Sequence, residues 1–421
     1  MNRIFRSFSH RNYRLFFSGQ LVSLTGAWIQ STVQGWLIYR LTGSAFMLGL
    51  VGFGTQLPML LLSLPGGVVA DRMDKRRALI FIECLAMLQA FILGLLAVSG
   101  VIRPWHIFVM AVCLGAVNAF EMPLRQSFVV EMVGREDLSN AIALNSSAIN
   151  LARMAGPAVA GMLVGLIGEG PCFLLNAASF LAVIAALLKM VLPKKARGNN
   201  AEKKPVFHSM IEGLRHAVSH HHVRAPLLLL TMTSMVTMPV MVLMPVVAVD
   251  MLGGGAGMLG YLYSCSGAGA LIGALSMAWR TGRRGLGTLV SASSLLFAIS
   301  LAFISFSHDK WLTGGFLILS GFGMMRQAAG CNILLQALVP DEFRGRVMSL
   351  YIMTLVGLAP LGSLIAGKGA QLIGMEWMLL LGGAWSALSA LKFYFRIPDM
   401  RLSEERVREE GFRTAEDGLV I

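Results

Sequence analysis

The sequence predicts an all-α membrane protein with twelve transmembrane helices in two six-helix bundles. Three observations predict this fold: the length of the apolar stretches, the placement of the basic residues, and an internal repeat. The chain is 56% hydrophobic and only 14% charged, whereas soluble proteins carry about 25% charged residues. This low charge indicates that lipid, rather than water, surrounds most of the chain.

The apolar stretches are each long enough to cross a bilayer. A hydrocarbon core about 30 Å thick requires roughly 20 apolar residues of helix, and backbone polar groups inside lipid must bond within their own segment. We therefore predict spanning helices over 15–39, 45–69, 79–100, 104–127, 141–166, 172–192, 226–249, 258–279, 287–306, 311–336, 347–372 and 376–395.

These stretches divide the chain into four parts. We predict an N-terminal six-helix bundle over 1–192, a basic, His-containing cytoplasmic linker over 193–225, a C-terminal six-helix bundle over 226–396 and a polar cytoplasmic tail over 397–421.

The two bundles are related by a repeat. A shift of 206 residues places Gly67 on Gly273 and Leu144 on Leu350. Parallel repeats of this kind build two bundles around an axis along the membrane normal. Such a pair can rock about a central site, which is then exposed to one side of the membrane at a time.

The basic residues lie almost entirely on one side of the predicted membrane. Of the 35 Lys and Arg residues, 29 fall on the side that carries the chain ends, 4 on the other side and 2 inside spans. We call these sides the basic side and the opposite side. Because Lys and Arg stay cytoplasmic, both termini are predicted to be cytoplasmic in a bacterial inner membrane.

Several classes of function are disfavoured. The basic residues are loop anchors beside anionic membrane lipids, so the pI near 10 does not indicate a nucleic-acid partner. The sequence contains no phosphate-binding motif and no recognisable catalytic set, and the consecutive residues His220, His221 and His222 point in different directions on a helix. We therefore expect no metal, no cofactor and no enzymatic activity, and a monomeric protein.

The loop after the second stretch carries a motif. The sequence GVVADRMDKRR runs from Gly67 to Arg77. Gly67 allows close helix packing, and Asp71 places a negative charge near helix amino termini, which favour it. This segment resembles the loop signature of the major facilitator superfamily, and the resemblance implies that Asp71, Arg72, Arg76 and Arg77 govern a cytoplasmic gate.

A second motif lies in the fifth stretch. Gly156, Pro157 and Gly161 resemble the G-P-x-x-[AG]-G element of superfamily antiporters, which is typical of exporters. Pro157 removes a backbone donor and bends the helix, while the two glycines allow close packing. An ordinary proline-kinked helix is the alternative interpretation.

Residues 120–145, together with the second motif, resemble one branch of the superfamily. That branch contains the bacterial enterobactin exporter and related drug:proton antiporters, and the resemblance is densest over 10–190. One departure is that Ala27 follows Gly26 where many relatives have an acidic residue, and a second is that the usual fourth-span arginine motif is not clearly present. The resemblance implies export of an amphiphilic, siderophore-like or drug-like small molecule by proton antiport. A lipid or lysophospholipid flippase on the same fold is the nearest alternative, followed by a receptor or a membrane enzyme.

Three ionisable residues fall near the middle of predicted spans, close to the bilayer centre, namely Glu121, Arg153 and Arg326. Such residues cost several kcal/mol unless paired or hydrated, so they mark functional sites. We predict that Glu121 couples transport to protons. The superfamily resemblance implies that Glu121 faces Arg326 across the cavity, although Arg153 could pair with it instead, and a permanent structural ion pair is a further alternative. Glu83 is expected to pair with loop arginines.

Polar and Met side chains complete the predicted central cavity. The polar residues either line this cavity or hold helices together, and they are Gln30, Gln34, Asn118, Asn150, Gln327 and Asn332. Met235 and Met238 lie in a Met-rich seventh stretch. Their side chains adapt to varied apolar shapes, as a large amphiphilic cargo requires, or they are plain apolar filler.

Overall fold

The computed structural model describes residues 3–134, 136–191, 215, 219–280, 285–339 and 341–397. Within these ranges the side chains of 3–5, 63–72, 139, 221, 341, 342, 344 and 356 are outside the description. The predicted linker, up to residue 214, and the tail from residue 398 therefore lie outside the described residues.

The first half of the chain forms six long helices after a short 3-10 helix, Arg3–Ser9. They are α1 (Arg11–Thr42), α2 (Ala45–Arg72), α3 (Lys75–Val98), α4 (Pro104–Val133), α5 (Leu138–Ile167) and α6 (Glu169–Lys189). Side-chain caps fix two of the starts, because Ser44 accepts from the Met47 amide and Asp74 from the Arg77 amide.

In the described residues of the second half there are seven longer helices. They are α7 (His221–Val242), α8 (Ala256–Ala278), α9 (Leu286–Ser305), α10 (Lys310–Leu338), α11 (Asp341–Val356), α12 (Ala359–Ile373) and α13 (Met375–Tyr394). A short helical turn, Met244–Val246, and a π-helical segment, Val247–Met251, extend α7. The pair α11 and α12 forms one crossing that is interrupted just before Pro360, which cannot donate to the preceding turn.

The described residues contain nine stretches that are long and apolar enough to cross a membrane. Eight are in α2 to α9, and the ninth runs through α11 and α12. Together with α1, α10 and α13, they fit the predicted twelve crossings. The part of the chain that the structure describes contains no β-strand, so the all-α prediction is confirmed.

Helices α1 to α6 pack against one another, as do α7 to α13, and the two groups meet along α5–α8 and α2–α12. Small residues set the closest approaches within each group. A Cβ atom on Gly115 of α4 would collide with the Thr55 carbonyl of α2, and one on Gly321 of α10 with the Ser266 carbonyl of α8. Gly115 and Gly321 are related by the repeat of 206 residues.

The seam between α5 and α8 is tight toward the opposite side. A Cβ atom on Gly161 would lie 2.8 Å from the Ala256 carbonyl oxygen, and one on Gly267 would lie 2.9 Å from Met154 Cα. The two glycines therefore allow backbone-to-backbone packing of the halves. The close packing of Gly161 is what the motif predicted.

The seam between α2 and α12 is closed at the same end. A Cβ atom on Gly367 would lie 2.8 Å from the Ala45 carbonyl oxygen, at the start of α2. Toward the basic side, by contrast, α5 exposes Ile142 and Ser146. The two groups of helices thus meet mainly at the opposite side, and the structure is closed there.

Candidate functional site

Arg153 lies where the two groups of helices meet. Its guanidinium carbon is 5.9 Å from the centroid of the Trp28 ring on α1, a cation–π distance. Its Nη2 atom is 4.0 Å from the Met241 sulfur on α7. The side chain is partly buried, and among the described residues it has no acidic partner. Within the described part of the chain, the positive charge of Arg153 is therefore uncompensated.

Glycines bring the backbones around Arg153 together. A Cβ atom on Gly156 would lie 2.6 Å from Trp28 Cβ, and one on Gly267 would lie 3.1 Å from the Arg153 carbonyl oxygen. Residues larger than glycine at these positions would force α1 and α8 away from α5. The second motif thus positions the guanidinium between three helices.

Met241 is held in place from α8. The Tyr263 hydroxyl donates to its carbonyl oxygen at 2.6 Å, and Ser266 Oγ is 3.9 Å from its sulfur. The wall beside Arg153 is consequently a soft thioether next to an indole ring. Such a surface can contact apolar groups of varied shape, whereas the guanidinium donates hydrogen bonds to an anionic or polar group.

Glu121 pairs with neither of its expected partners. Its Oε1 atom is 3.0 Å from Arg125 Nη1, and the two side chains are 19% and 20% exposed. The predicted pairing with Arg153 or Arg326 is therefore wrong for this structure. The reason is that Arg125 lies one helical turn beyond Glu121 on α4, nearer than either arginine on another helix.

Glu83 lies on the neighbouring helix α3 and is only 3% exposed. Its carboxyl interacts electrostatically with both Glu121 and Arg125, but it forms no hydrogen bond or ion pair with any described residue. The expected ion pair with a loop arginine is thus absent from this part of the chain. Glu83, Glu121 and Arg125 together carry no net charge when one of the two carboxyl groups is protonated.

Arg326 is separate from this cluster. Its guanidinium carbon lies 4.9 Å from the Phe322 ring centroid, and its buried Nε has no hydrogen-bond partner among the described residues. The adjacent Gln327 donates to Thr233 Oγ1 at 2.6 Å and so joins α10 to α7. Gln327 therefore holds helices together, which was the alternative to its predicted place in the cavity.

Gln30 has the same structural role in the first half. Its amide nitrogen donates to Gln89 Oε1 at 3.0 Å, and its oxygen accepts from Asn176 Nδ2 at 2.7 Å. Gln89 in turn donates to the Met110 carbonyl at 3.1 Å. Gln30 is 1% exposed and links α1, α3, α4 and α6, so it holds helices together, the second of the two roles expected for it.

The other predicted polar positions divide between buried and half-buried sites. Asn150 is buried and donates to the Ser146 carbonyl of its own helix at 2.9 Å. Asn332 is half-buried and accepts from Gln336 at 2.6 Å. Gln34 is buried and Asn118 half-buried. Their part in the cavity stays a prediction.

The two predicted methionines lie differently on α7. The backbone of Met235 packs against Gly362 of α12, since a Cβ atom on that glycine would lie 2.7 Å from the Met235 carbonyl oxygen. The side chain of Met238 is 38% exposed. Their contact with cargo also stays a prediction.

We expect Gln30→Leu to lower the free energy of unfolding by about 1–3 kcal/mol, because it leaves buried polar partners on two helices unsatisfied. Thermal unfolding in detergent measures this. Gln34→Leu is the matched control, because Gln34 is also buried on α1 but forms no hydrogen bond with a described residue. Equal effects of the two changes would show that the hydrogen bonds of Gln30 to Gln89 and Asn176 do not stabilise the bundle.

The loop motif is only partly described. The side chains of Gly67, Asp71 and Arg72 lie outside the described residues. Arg76 donates from Nε and Nη2 to the Leu187 and Leu188 carbonyls, both at 2.7 Å. These carbonyls lie in the last turn of α6, where a cation is favourable.

Neighbouring contacts hold the same loop. The Arg77 amide donates to Asp74, and its side chain is exposed. Lys75 Nζ lies 2.9 Å from Glu131 Oε1 of α4. The loop is thus anchored to both α4 and α6, and the link from Lys75 to Glu131 was not predicted from the sequence.

The sequence analysis also missed one contact between the two groups of helices. The Tyr39 hydroxyl at the end of α1 donates to Asp250 Oδ2 at 2.6 Å, in the segment that extends α7. This bond joins the two groups of helices at the closed, opposite side. An acidic residue at the end of an otherwise apolar stretch was the only signal in the sequence that could have indicated it.

The fold defines a class of protein. It matches the structure of a bacterial homologue of the human lysosomal transporter Spinster, inward-facing and unoccupied, with a TM-score of 0.72 at 13% identity over 94% of this chain and 98% of that one. It also matches the nucleoside transporter NupG, with a TM-score of 0.74 at 11% identity over 92% and 99%. The protein therefore has the fold of the major facilitator transporters.

The chain belongs to the transmembrane secretion effector family, whose sequence profile matches residues 3–415. It is similar to the staphyloferrin A transporter of Staphylococcus aureus, with 27% identity over 93% of this chain and 98% of that protein. It is also similar to the multidrug efflux pump Tap of Mycolicibacterium fortuitum, with 24% identity over 82% and 88%, and to macrolide efflux protein A of Streptococcus pyogenes, with 24% identity over 89% and 94%.

These comparisons confirm the resemblance drawn from the motifs. The chain is a multi-pass membrane transporter of an efflux family whose members include siderophore and drug transporters. Its relatives and structural neighbours are transporters and not enzymes.

Proposed function

We propose that this protein exports an anionic, amphiphilic small molecule, siderophore-like or drug-like, across the bacterial inner membrane. The basic side is cytoplasmic, and the bundles 1–192 and 226–396 move as two bodies in alternating access. The observation that carries the proposal is Arg153, whose guanidinium lies between Trp28 and Met241 at the junction of the bundles and is compensated by no described residue.

The chemistry of Arg153 favours an anionic group on the cargo. An unpaired charge inside a membrane protein is costly, so its presence indicates a function that needs it. A guanidinium presents a planar fork of donors that matches a carboxylate or phosphate with two hydrogen bonds. The adjoining indole and thioether supply apolar contact for the rest of an amphiphilic molecule.

We assign proton coupling to the cluster of Glu83, Glu121 and Arg125. The cluster lies on α3 and α4, with Glu121 about 18 Å along the helix from its basic end at 1.5 Å per residue. Because one guanidinium serves two carboxyl groups, uptake of a proton changes which carboxylate Arg125 balances. Such a change alters the attraction between α3 and α4 and can be linked to the opening of the cavity.

Transport in proteoliposomes with an imposed pH gradient tests the proposal. We expect an anionic siderophore or drug to move against its gradient when protons flow the other way, and its methyl ester to move more slowly. A lipid flippase on the same fold would instead translocate labelled lysophospholipid without discrimination between acid and ester. That result would replace the proposed function.

We expect Glu121→Gln to remove most of the dependence of transport on the pH gradient, because a neutral amide cannot exchange the proton. Flux driven by the cargo gradient alone should persist. The matched control is Glu131→Gln, which removes a carboxylate from the same helix where it pairs with Lys75. Coupling undiminished in Glu121→Gln, or lost equally in both variants, would exclude Glu121 from the proton pathway.

A further inference from the structure

A cavity lies away from Arg153, between the basic-side ends of α7 and α13. Its volume is about 260 Å³. Three cationic side chains line it, Arg224, Lys392 and Arg396, together with apolar residues that include Leu228 and Leu388. We call this feature the α7–α13 groove.

The repeat shows that this groove is a specific feature of the second half. The equivalent seam in the first half, between α1 and α6, is closed because Gly26 packs directly on Ser179. A shift of 206 residues turns this pair into Met232 and Trp385. Trp385 Nε1 donates to the Met232 carbonyl at 3.1 Å, so two large residues stand where two small ones bring the helices together.

The same comparison holds for a second pair of positions, closer to the basic side. Gly19 packs on Val183, since a Cβ atom on Gly19 would lie 2.9 Å from Val183 Cα. Their equivalents, Ala225 and Ser389, both line the groove instead of closing it. The helices α7 and α13 therefore separate where α1 and α6 remain in contact.

The positive charges of the groove are also confined to the second half. Their repeat equivalents in the first half are uncharged: Arg224, Lys392 and Arg396 correspond to Ser18, Ala186 and Met190. None of the three cations forms an ion pair with a described residue. The groove thus concentrates three cations, none paired within the described ranges, near the basic side of the membrane.

The remaining wall of the groove faces the bilayer. Leu388 is 65% exposed, Trp385 46% and Leu228 38%, and in a membrane such surfaces contact acyl chains. Trp385 closes the deep end of the groove, where its indole nitrogen donates to the Met232 carbonyl, and Leu388 and Leu228 lie between it and the cations. A suitable ligand therefore carries an acidic head at one end and a hydrocarbon chain at the other.

We propose that the α7–α13 groove binds an anionic phospholipid of the leaflet on the basic side. Arg224, Lys392 and Arg396 hold its phosphate, and one acyl chain lies along Leu228 and Leu388. Basic pockets between membrane helices on the cytoplasmic side recognise acidic headgroups in this way. The site is independent of the central cavity, so it does not depend on which molecule is exported.

The rival occupant is the acidic tail of the chain itself, which carries Glu404, Glu405, Glu409 and Glu410. The tail supplies carboxylates for the cations. Its apolar residues near these glutamates, Leu402, Val407 and Phe412, are scattered among charged ones, whereas a phospholipid places a continuous acyl chain on the exposed apolar wall. This is why the lipid is favoured.

The test compares phosphatidylglycerol with phosphatidylcholine of identical acyl chains, added to the purified full-length protein in neutral detergent. We expect phosphatidylglycerol to remain bound in native mass spectrometry and to raise the unfolding temperature by several degrees, with little effect of phosphatidylcholine. The triple variant Arg224→Gln, Lys392→Gln, Arg396→Gln should lose at least tenfold in affinity. The single variant Lys392→Gln should show a smaller loss, and it serves if the triple variant does not fold.

The matched control is the triple variant Arg11→Gln, Arg14→Gln, Lys189→Gln, which removes the same charge from exposed positions on the basic side. It should bind phosphatidylglycerol as the unmodified chain does. Equal binding of both lipids, equal loss in both triple variants, or an equal temperature shift with inorganic phosphate would overturn the proposal. So would phosphatidylglycerol binding that occurs only after the four tail glutamates are changed to Gln, because the tail would then occupy the groove.

Discussion

We expect Arg153→Gln to lower the rate of transport of an anionic cargo by roughly 10- to 100-fold. A hydrogen bond to a charged group contributes about 1.5–3 kcal/mol, and 1.4 kcal/mol corresponds to a tenfold change in affinity. The same variant should unfold at an unchanged or higher temperature, because it removes a charge that no described residue compensates. Initial rates in proteoliposomes, measured beside thermal unfolding, check both expectations.

Arg153→Lys is the matched control for this prediction. Lys keeps the positive charge but not the planar fork of donors, so we expect an intermediate rate with the anionic cargo. The methyl ester of the cargo should be transported equally by Arg153 and its Gln variant. A Gln variant that loses stability together with transport of both acid and ester would show that Arg153 acts structurally.

We expect Tyr39→Phe to shift the protein toward conformations open on the opposite side. The Tyr39 hydroxyl donates to the Asp250 carboxylate at 2.6 Å and joins the two bundles at the closed end. Loss of a charge-assisted bond of about 1.5–3 kcal/mol changes the ratio of two conformations by about 10- to 100-fold, since 1.4 kcal/mol is a factor of ten. The shift is smaller if water replaces the hydroxyl.

Accessibility of engineered cysteines measures this shift. With the exposed Cys113 changed to Ser, a cysteine at Ser44 should react faster in Tyr39→Phe, while one at Ser146 should react more slowly. The matched control is Tyr263→Phe, which removes an equally short hydrogen bond within the second bundle. Equal labelling of the two variants at both positions would show that the bond between Tyr39 and Asp250 does not hold the gate.

The fold could be predicted from the sequence because lipid imposes simple rules. The length of an apolar stretch determines whether it crosses the bilayer, and basic residues mark one side. These signals are local and repeated many times, so an error in one stretch, such as the early end predicted for the fourth, left the arrangement intact.

The candidate site could be predicted only in part. Arg153 and its glycines were identified because a charge inside an apolar stretch and a Gly-Pro motif are visible in the sequence. The partner of Glu121 was not, because the prediction considered only the two arginines within other spans and passed over Arg125, one turn along the same helix. Gln30 and Gln327 were assigned to the cavity because helical spacing places a residue on a face without showing which neighbour that face meets.

The sequence by itself determined that this chain crosses a membrane many times, that its basic side differs from its opposite side, and that its family exports small molecules. Only the tertiary structure decided which polar groups meet: Glu121 with Arg125, Tyr39 with Asp250, and Arg153 with Trp28 and Met241. The reason is physical. Burial in lipid depends on composition along the chain, whereas a hydrogen bond depends on ångström-scale positions that are set by how helices distant in sequence pack together.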